Sequence, residues 1–463
     1  MDSKALKFLN SLNNKCIALC GIGSTNLPLA NLFLKYGAKI IACDSRSKDD
    51  IGENAKRLED MGIRLKLGKD YLKDLDVDII FRTPGIKFYT PELNYFRDKG
   101  IVVTSEMEVF FDLCPCKIFA ITGSDGKTTT TTIISEILKK SGKSVHLGGN
   151  IGNPLLQNIE NIKSDDIAVI ELSSFQLISM RKSPDVAVIT NLAPNHLDMH
   201  KDMTEYIDAK KNILLHQNAF SRTVLNIDNE ITKGFSDSVR GEKLFFSRNK
   251  KNINGAWINN EKKIIMSYKD KDYEIIDTND IKIPGNHNIE NYLAAISAVW
   301  GFVKIENIVY VAKNFNGVEH RAEFVREVNG IKFYNDSIAS SPTRTASGTL
   351  SLYDKKIIMI AGGYDKKIPF DELGPVIVNK VKTLILMGDT ANKIESAVKG
   401  ATAYSLGNPN IIKVNSMEEA VQKSFQAAES GDIVSLSPAC ASFDMYKNFA
   451  ARGKHFKELV NNL

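Results

Sequence analysis

CKIFAITGSDGKTTTTTIISEILKKSG, residues 116–142, decides how the rest of the chain is read. An apolar run ends at Gly123; Gly126, Lys127, Thr128 and Thr129 follow, and a helical pattern then runs to Gly142. Strand, glycine turn and helix start are the setting a phosphate loop requires. Glycines let backbone N–H groups turn toward an anion, and the helix N-terminus adds about half a positive charge. The longer triphosphate loop, G-x-x-x-x-G-K-[ST], needs glycine at 121, where this chain has Ile121. The loop is the shorter G-x-x-G-K-T-T form. Gly123, Ser124, Asp125 and Gly126 are expected to cradle the phosphates of a nucleotide. Lys127 is expected at the β- and γ-phosphates, and Thr128 or Thr129 beside Mg2+.

Outward from this loop, short β-branched apolar runs alternate with helical patterns. Strands are expected within 15–21, 38–44, 76–85, 116–123, 166–174, 185–192, 356–363, 381–388 and 431–439. Such runs, bounded by Gly, Asp or Pro, fit parallel strands buried on both faces, with helical crossovers. The stretch 256–277, AWINNEKKIIMSYKDKDYEIID, differs. Its short alternating runs and turn dipeptides read as a small antiparallel patch. At about 150 residues per domain, 463 residues suggest three α/β domains. The boundaries fall at 1–105, 106–317 and 318–463.

Composition fits globular cores: 43% hydrophobic and 25% charged. The net charge of +5 is spread along the chain, which excludes a nucleic-acid-binding stripe while favouring small anions. The six cysteines form no C-x-x-C pair and read as reduced buried thiols. No run has the length of a membrane span and the first residues carry no apolar signal core, so a cytoplasmic protein without membrane insertion is expected.

Further motifs follow the loop in order: GGNIG (148–152), ELSSFQL (171–177), TNLAPNHLDMH (190–200) and YIDAKKNIL (206–214). GNHNIENYLAA (285–295), HRAE (320–323), YNDS (334–337), GGYDK (362–366) and LSPACASFDMYKNFAARGKHF (436–456) come later. Together with the short loop, the set resembles the Mur ligases. The resemblance implies a Rossmann-like N-terminal domain, a central P-loop ATPase domain and a Rossmann-like C-terminal domain. It implies ATP-dependent addition of D-glutamate to UDP-N-acetylmuramoyl-L-alanine through an acyl phosphate, in peptidoglycan precursor synthesis, by a monomer.

The resemblance also assigns residues. Lys127, Glu171, His196 and Lys210 are the catalytic set. Thr128, Glu171, His196 and Lys210, the last as a CO2-derived carbamate, would hold Mg2+. Glu171, at the end of an apolar strand, suits a magnesium ligand on its own chemistry, and a solvated strand-end charge is the plainer alternative. Carbamylation needs a neutral amine, so the site must lower the Lys210 pKa. Asn288, Asn291, His320, Arg321 and Asp336 are expected on the ATP side, and Ser340, Lys366, Ser442 and Phe449 around D-glutamate. Asn150, Ser173 and Gln176 are expected along the muramoyl peptide. Two positions depart from the family pattern: Asn195 stands where an acid usually precedes the histidine, and Ile338 where lysine usually follows YNDS.

Gly21, Gly23 and Asp44 invite a nicotinamide reading, but Asn26 occupies the third glycine position. The family uses this turn for UDP, with Gly23, Ser24, Thr25, Asp44, Ser45 and Arg46 on one side and Thr83, Pro84 and Gly85 facing them. A nucleotide-binding scaffold that has lost its chemistry is the alternative from another class. Against it, Lys127, Glu171, His196 and Lys210 are all present.

Overall fold

The run that feeds the glycine loop is strand Lys117–Thr122, and four of its six residues are apolar and almost wholly buried. Burying each large side chain of this kind stabilises by about 1.5–3 kcal/mol. The structure, a computed structural model, describes residues 2–194, 200–251, 253–405 and 407–463. All nine expected strands are present, set in three sheets.

The first sheet holds β1 (Cys16–Cys20), β2 (Lys39–Asp44), β3 (Arg64–Leu67), β4 (Ile79–Arg82) and β5 (Val102–Thr104), all parallel, in the order β3-β2-β1-β4-β5. The order reverses between β1 and β4, which opens a crevice at their carboxyl ends.

The second sheet holds β6 (Lys117–Thr122), β7 (Val145–Gly149), β8 (Ile167–Glu171), β9 (Val186–Ile189), β10 (Arg222–Asn226), β11 (Glu242–Ser247), β12 (Gly255–Ile258), β13 (Lys263–Tyr268) and β14 (Lys271–Asp277). Its order is β14-β13-β12-β11-β10-β9-β6-β8-β7. Only the β12–β13 and β13–β14 pairings are antiparallel, as the 256–277 pattern led us to expect. Because β6 lies between β8 and β9, its glycine loop meets the end of each.

The third sheet holds β15 (Glu323–Val328), β16 (Ile331–Asn335), β17 (Ile357–Gly362), β18 (Val381–Met387), β19 (Asn410–Lys413) and β20 (Ile433–Leu436), in the order β15-β16-β20-β17-β18-β19. Only β15 runs antiparallel to its neighbour. Two apolar layers sandwich this sheet.

The chain forms two compact units, Met1–Thr278 with Ile289–Val311, and Asn279–Asn288 with Ala312–Leu463. The first two sheets therefore share a unit, and one apolar core runs through both, from Ala5 and Phe33 to Leu156 and Ile213. Ion pairs and hydrogen bonds add to it. Lys35 and Tyr36 both reach Glu160, and buried Glu106 accepts the Leu156 N–H at 2.8 Å. Residues 279–288 belong to the second unit although 289–311 belong to the first.

Candidate active site

The phosphate loop is set by two backbone choices. Gly126, the N-cap of helix Lys127–Lys140, is left-handed at φ 75°, and Gly123 sits at φ 149°. A Cβ at Gly126 would meet the Asn291 side chain, and one at Gly123 the Thr190 hydroxyl. Neither position accommodates another residue without movement.

The loop is braced from β9. The Ser124 N–H donates to the Asn191 carbonyl at 2.8 Å, and the Asp125 N–H to Asn191 Oδ1 at 2.9 Å. Thr190 Oγ1 donates to the Asp125 carbonyl at 2.6 Å. Two of the N–H groups expected to face an anion are thus engaged within the protein. The amides of the first helical turn lie beyond the reach of any intrahelical carbonyl, the arrangement that suits a phosphate at a helix start. Ser124 Oγ donates to the Ala193 carbonyl at 2.9 Å and lies 2.8 Å from the Tyr206 hydroxyl. Thr190, Asn191 and Tyr206 escaped the sequence reading. Thr190 and Asn191 do open one of the quoted motifs, and Tyr206 stands four residues before Lys210 on helix Met203–Leu215.

Two lysines converge on one oxygen. Lys127 Nζ donates to the Gly123 and Ser124 carbonyls at 3.0 and 2.9 Å. Lys210 Nζ donates to the same Gly123 carbonyl at 2.9 Å and to Thr122 Oγ1 at 3.2 Å. Lys210 is only 2% exposed. Burial, and then the charge of Lys127, bring its pKa down to about 7. A large neutral fraction at physiological pH is the property that reaction with CO2 demands.

Glu171 ends β8 and is buried at 2% exposure. Thr128 Oγ1 donates to its Oε2 at 2.7 Å, and Asn150 Nδ2 to its Oε1 at 2.9 Å. Thr128 hydroxyl and Glu171 carboxylate form an oxygen-only pair, the donor chemistry a hard cation such as Mg2+ takes. Among the described residues no group of three His, Cys, Asp or Glu side chains gathers around a point. His196 and Asn195 lie outside the described residues.

Ser173 and Gln176 form a capping box on helix Ser174–Leu177, so each satisfies the other. Next to them stands a chain the sequence reading passed over. His200 Nε2 lies 2.8 Å from Ser174 Oγ, and its Nδ1 lies 3.1 Å from Glu205 Oε2. The ring stacks on Phe175 at 5.0 Å. This chain ties the segment after Glu171 to the start of the helix that bears Lys210.

In the first sheet, the loop after β1 faces the loop after β4 across the order reversal, and the Thr83 N–H donates to the Cys20 carbonyl at 3.0 Å. Gly21 packs against the Thr83 side chain, and Thr25 and Pro84 line one small cavity. Asp44 Oδ2 accepts the Ile22 N–H at 2.8 Å, and Oδ1 accepts both the Arg46 N–H and Nε at 3.0 Å. Burial pushes the Asp44 carboxyl up, but the hydrogen bonds from Arg46 and Ile22 hold it below the usual range. Arg46 Nη2 also donates to the Ile22 carbonyl at 2.7 Å, and Ser45 is exposed. Asn26 is 1% exposed and donates to the Cys20 and Phe81 carbonyls at 2.9 and 3.0 Å. It bridges β1 and β4, which accounts for the missing third glycine. Arg82, also 1% exposed, donates to the carbonyls of Ile86 and Phe175 and to Ser179 Oγ.

Asn291 lies in the first unit, where its Oδ1 accepts Thr130 Oγ1 at 3.2 Å. Asn288 falls in the second unit and donates to the Pro284 carbonyl at 2.6 Å. In that unit His320 holds φ 64° and accepts at Nδ1 from Asn335 Nδ2 at 2.9 Å. Arg321 is half-buried. Asp336, 4% exposed, accepts the Ala322 N–H at 3.2 Å and the Thr349 hydroxyl. It fixes the HRAE turn, and burial raises its pKa. Ser340 and Lys366 line one small cavity with Tyr364, Asp365 and Cys440. Ser442 is 2% exposed, and the Phe449 carbonyl accepts Ser337 Oγ at 2.8 Å. Buried Arg452 donates to the carbonyls of Ser337, Cys440 and Ala441 and so holds the loops after β16 and β20.

Two family models match: the Mur ligase middle domain over residues 121–299, and the Mur ligase, glutamate ligase domain over 320–440. Fold and loop chemistry thus define the class, a Mur ligase. The chain is 51% identical over 464 residues to the UDP-N-acetylmuramoylalanine–D-glutamate ligase of Clostridium botulinum strain Hall, with 100% of both chains covered. The protein of that name from Acetivibrio thermocellus is 51% identical over 466 residues, again with 100% of both covered. The chain belongs to this D-glutamate ligase family. Its fold is similar to the UDP-N-acetylmuramate-alanine ligase of Thermotoga maritima, with TM-score 0.57, 18% identity and coverage of 97% of this chain and 100% of that one. It is also similar to the UDP-N-acetylmuramoylalanyl-D-glutamyl-2,6-diaminopimelate–D-alanyl-D-alanyl ligase of Acinetobacter baumannii, with TM-score 0.57, 14% identity and coverage of 99% and 98%.

Proposed function

We propose that the chain is an ATP-dependent ligase that joins D-glutamate to the alanyl carboxylate of UDP-N-acetylmuramoyl-L-alanine, in the assembly of peptidoglycan. The observation that carries this reading is the full-length match to relatives of that name, because nothing in the phosphate loop specifies the amino acid.

The residues supply a mechanism. The alanyl carboxylate attacks the γ-phosphorus of ATP and ADP departs. The amine of D-glutamate then attacks the acyl carbon, phosphate leaves and the amine sheds a proton. Bringing carboxylate and triphosphate together concentrates negative charge, so the site must supply positive charge. The first-turn amides of helix Lys127–Lys140 and the Lys127 ammonium provide it at the transferred group. Thr128, Glu171, His196 and Lys210 as a carbamate would hold Mg2+, which when bound neutralises phosphate oxygens. The neutral Lys210 amine adds to CO2 and loses a proton, and a buried cation becomes an anionic oxygen donor. Asn288, His320, Arg321 and Asp336 serve the nucleotide, and Ser340, Lys366, Ser442 and the Phe449 backbone serve D-glutamate.

The functional division is 1–105 for the UDP substrate, 106–317 for ATP and 318–463 for ATP and D-glutamate. The protein acts as a cytoplasmic monomer; among the described residues no helix is long and apolar enough to cross a membrane. Phosphate release with UDP-N-acetylmuramoyl-L-alanine and ATP tests the reading. D-Glutamate must be required, and release supported equally by L-lysine or diaminopimelate would overturn it.

A further inference from the structure

The chain passes from the first sheet to the second through Cys114-Pro115-Cys116. Cys114 caps helix Glu106–Leu113, turning away at φ −60° and ψ 120° while its N–H donates to the Phe110 carbonyl. The Pro115 ring fixes its own φ. The next residue, Cys116, leads into β6. The turn brings the two sulfurs to 3.4 Å, with Cys114 Sγ also 3.7 Å from the Cys116 carbonyl. A disulfide bond measures about 2.05 Å, so an approach of ~1.4 Å closes the pair. Cys114 keeps part of its surface in solvent, whereas Cys116 is 6% exposed.

We propose that Cys114 and Cys116 form a dithiol modification site that a low-molecular-weight disulfide closes to an intramolecular disulfide, stapling the turn between the first two sheets. The Cys114 thiolate attacks one sulfur of the reagent. The reagent's S–S bond breaks, and the departing thiolate takes up the proton that Cys114 released. Cys116 then gives up its proton and attacks Cys114 Sγ, expelling the second reagent thiolate, which is protonated in turn. Two protein thiols are oxidised and one disulfide is reduced to two thiols.

The order of attack follows from the environment. The hydrogen bond from Cys116 favours the Cys114 thiolate, and the same contact, with burial, holds the proton on Cys116. Once Cys114 is a mixed disulfide, the negative charge that kept Cys116 protonated is gone. The other neighbouring pair behaves differently. Cys20 and Cys43 face each other across β1 and β2, but both are fully buried and no external reagent reaches them. Cys16 is half-buried, and burial and then Asp78 push its thiol up. A ring closed between residues two apart is strained, so reduction is easy and the closure reversible.

The test is to incubate the full chain with glutathione disulfide and follow intact mass and thiol titre. Closure removes two hydrogens, leaves no bound glutathione and lowers the thiols titrated after denaturation from six to four. Peptide mapping should place the bond at Cys114–Cys116, and dithiothreitol should restore six thiols. Cys114→Ser should abolish closure. Cys116→Ser should stop at a stable glutathione adduct on Cys114; should that variant fail to fold, wild type and Cys114→Ser decide the matter. A persistent adduct on wild-type Cys114, a disulfide elsewhere, or six thiols surviving a large excess of reagent would each overturn the proposal.

Discussion

The loop after β1 and the loop after β6 are built alike and differ in what reaches them. Each leaves the carboxyl end of an inner strand of a parallel sheet through a glycine with positive φ, 94° at Gly21 and 149° at Gly123, and each feeds a helix. The first loop is pinned by an acid, Asp44, which is itself matched by Arg46. The second is pinned by a neutral amide, Asn191, and two lysine amines point at its Gly123 carbonyl. The backbone device is shared, and neighbouring strands decide whether the positive charge that phosphoryl transfer requires gathers at the loop.

Removing that charge is the most direct way to break the contrast. Lys127→Ala should cut the rate of product formation by about 10³-fold, while calorimetry shows UDP-substrate binding unchanged. Wild-type turnover in that variant would falsify the assignment of the second loop.

Lys210 gives the next effect. Lys210→Ala should cost about 10²-fold or more in turnover, and Lys210→Arg, which stays cationic, should fare no better. Because the working amine is neutral, wild-type turnover should climb with pH through about 7. The stability sign agrees. Between about 7 and the unfolded value of 10.5 the unfolded chain binds the extra proton, so the cost of burying Lys210 is full below 7 and fades as pH rises. Lys210→Met should therefore raise Tm more at pH near 6 than at pH near 9, and an equal gain at both would count against a depressed amine.

A change in the first loop should be felt as binding alone. Asp44→Asn should raise KM for the UDP substrate by about tenfold and leave kcat and KM for ATP in place, because it frees the Ile22 amide and Arg46 without touching the second loop. A fall in kcat instead would mean that the loops do not divide the labour.

The smallest effect sharpens the picture. His200→Phe keeps the ring stack on Phe175 but drops the links to Ser174 and Glu205, and should cost about 1–3 kcal/mol of stability with a few-fold loss in turnover. Thermal unfolding and steady-state rates check it together.

Legibility followed burial. Strands such as β6, β8 and β17, apolar through their centres and enclosed on both faces, stood out from the sequence. The edge strands β3, β7 and β19, half-exposed and mixed in composition, did not. Nor did β10, wholly buried but flanked by Arg222 and Asn226, polar residues whose side chains find carbonyl partners inside the fold. Residues whose type announces a role within a motif, such as Lys127 and Glu171, could be singled out from the sequence. Those that act across strands, Asn191 on Ser124 and Asp125, Asn26 between β1 and β4, and His200 on Ser174, became visible only with the pairing of the sheet.

Asn191 carries one more consequence. Since its amide and carbonyl already fill the donors at Ser124 and Asp125, the loop is a rigid mould before any nucleotide arrives. Ordering entropy is then a minor component of ATP affinity, and calorimetry on an Asn191→Ala variant should register the difference as a less favourable entropy of nucleotide binding.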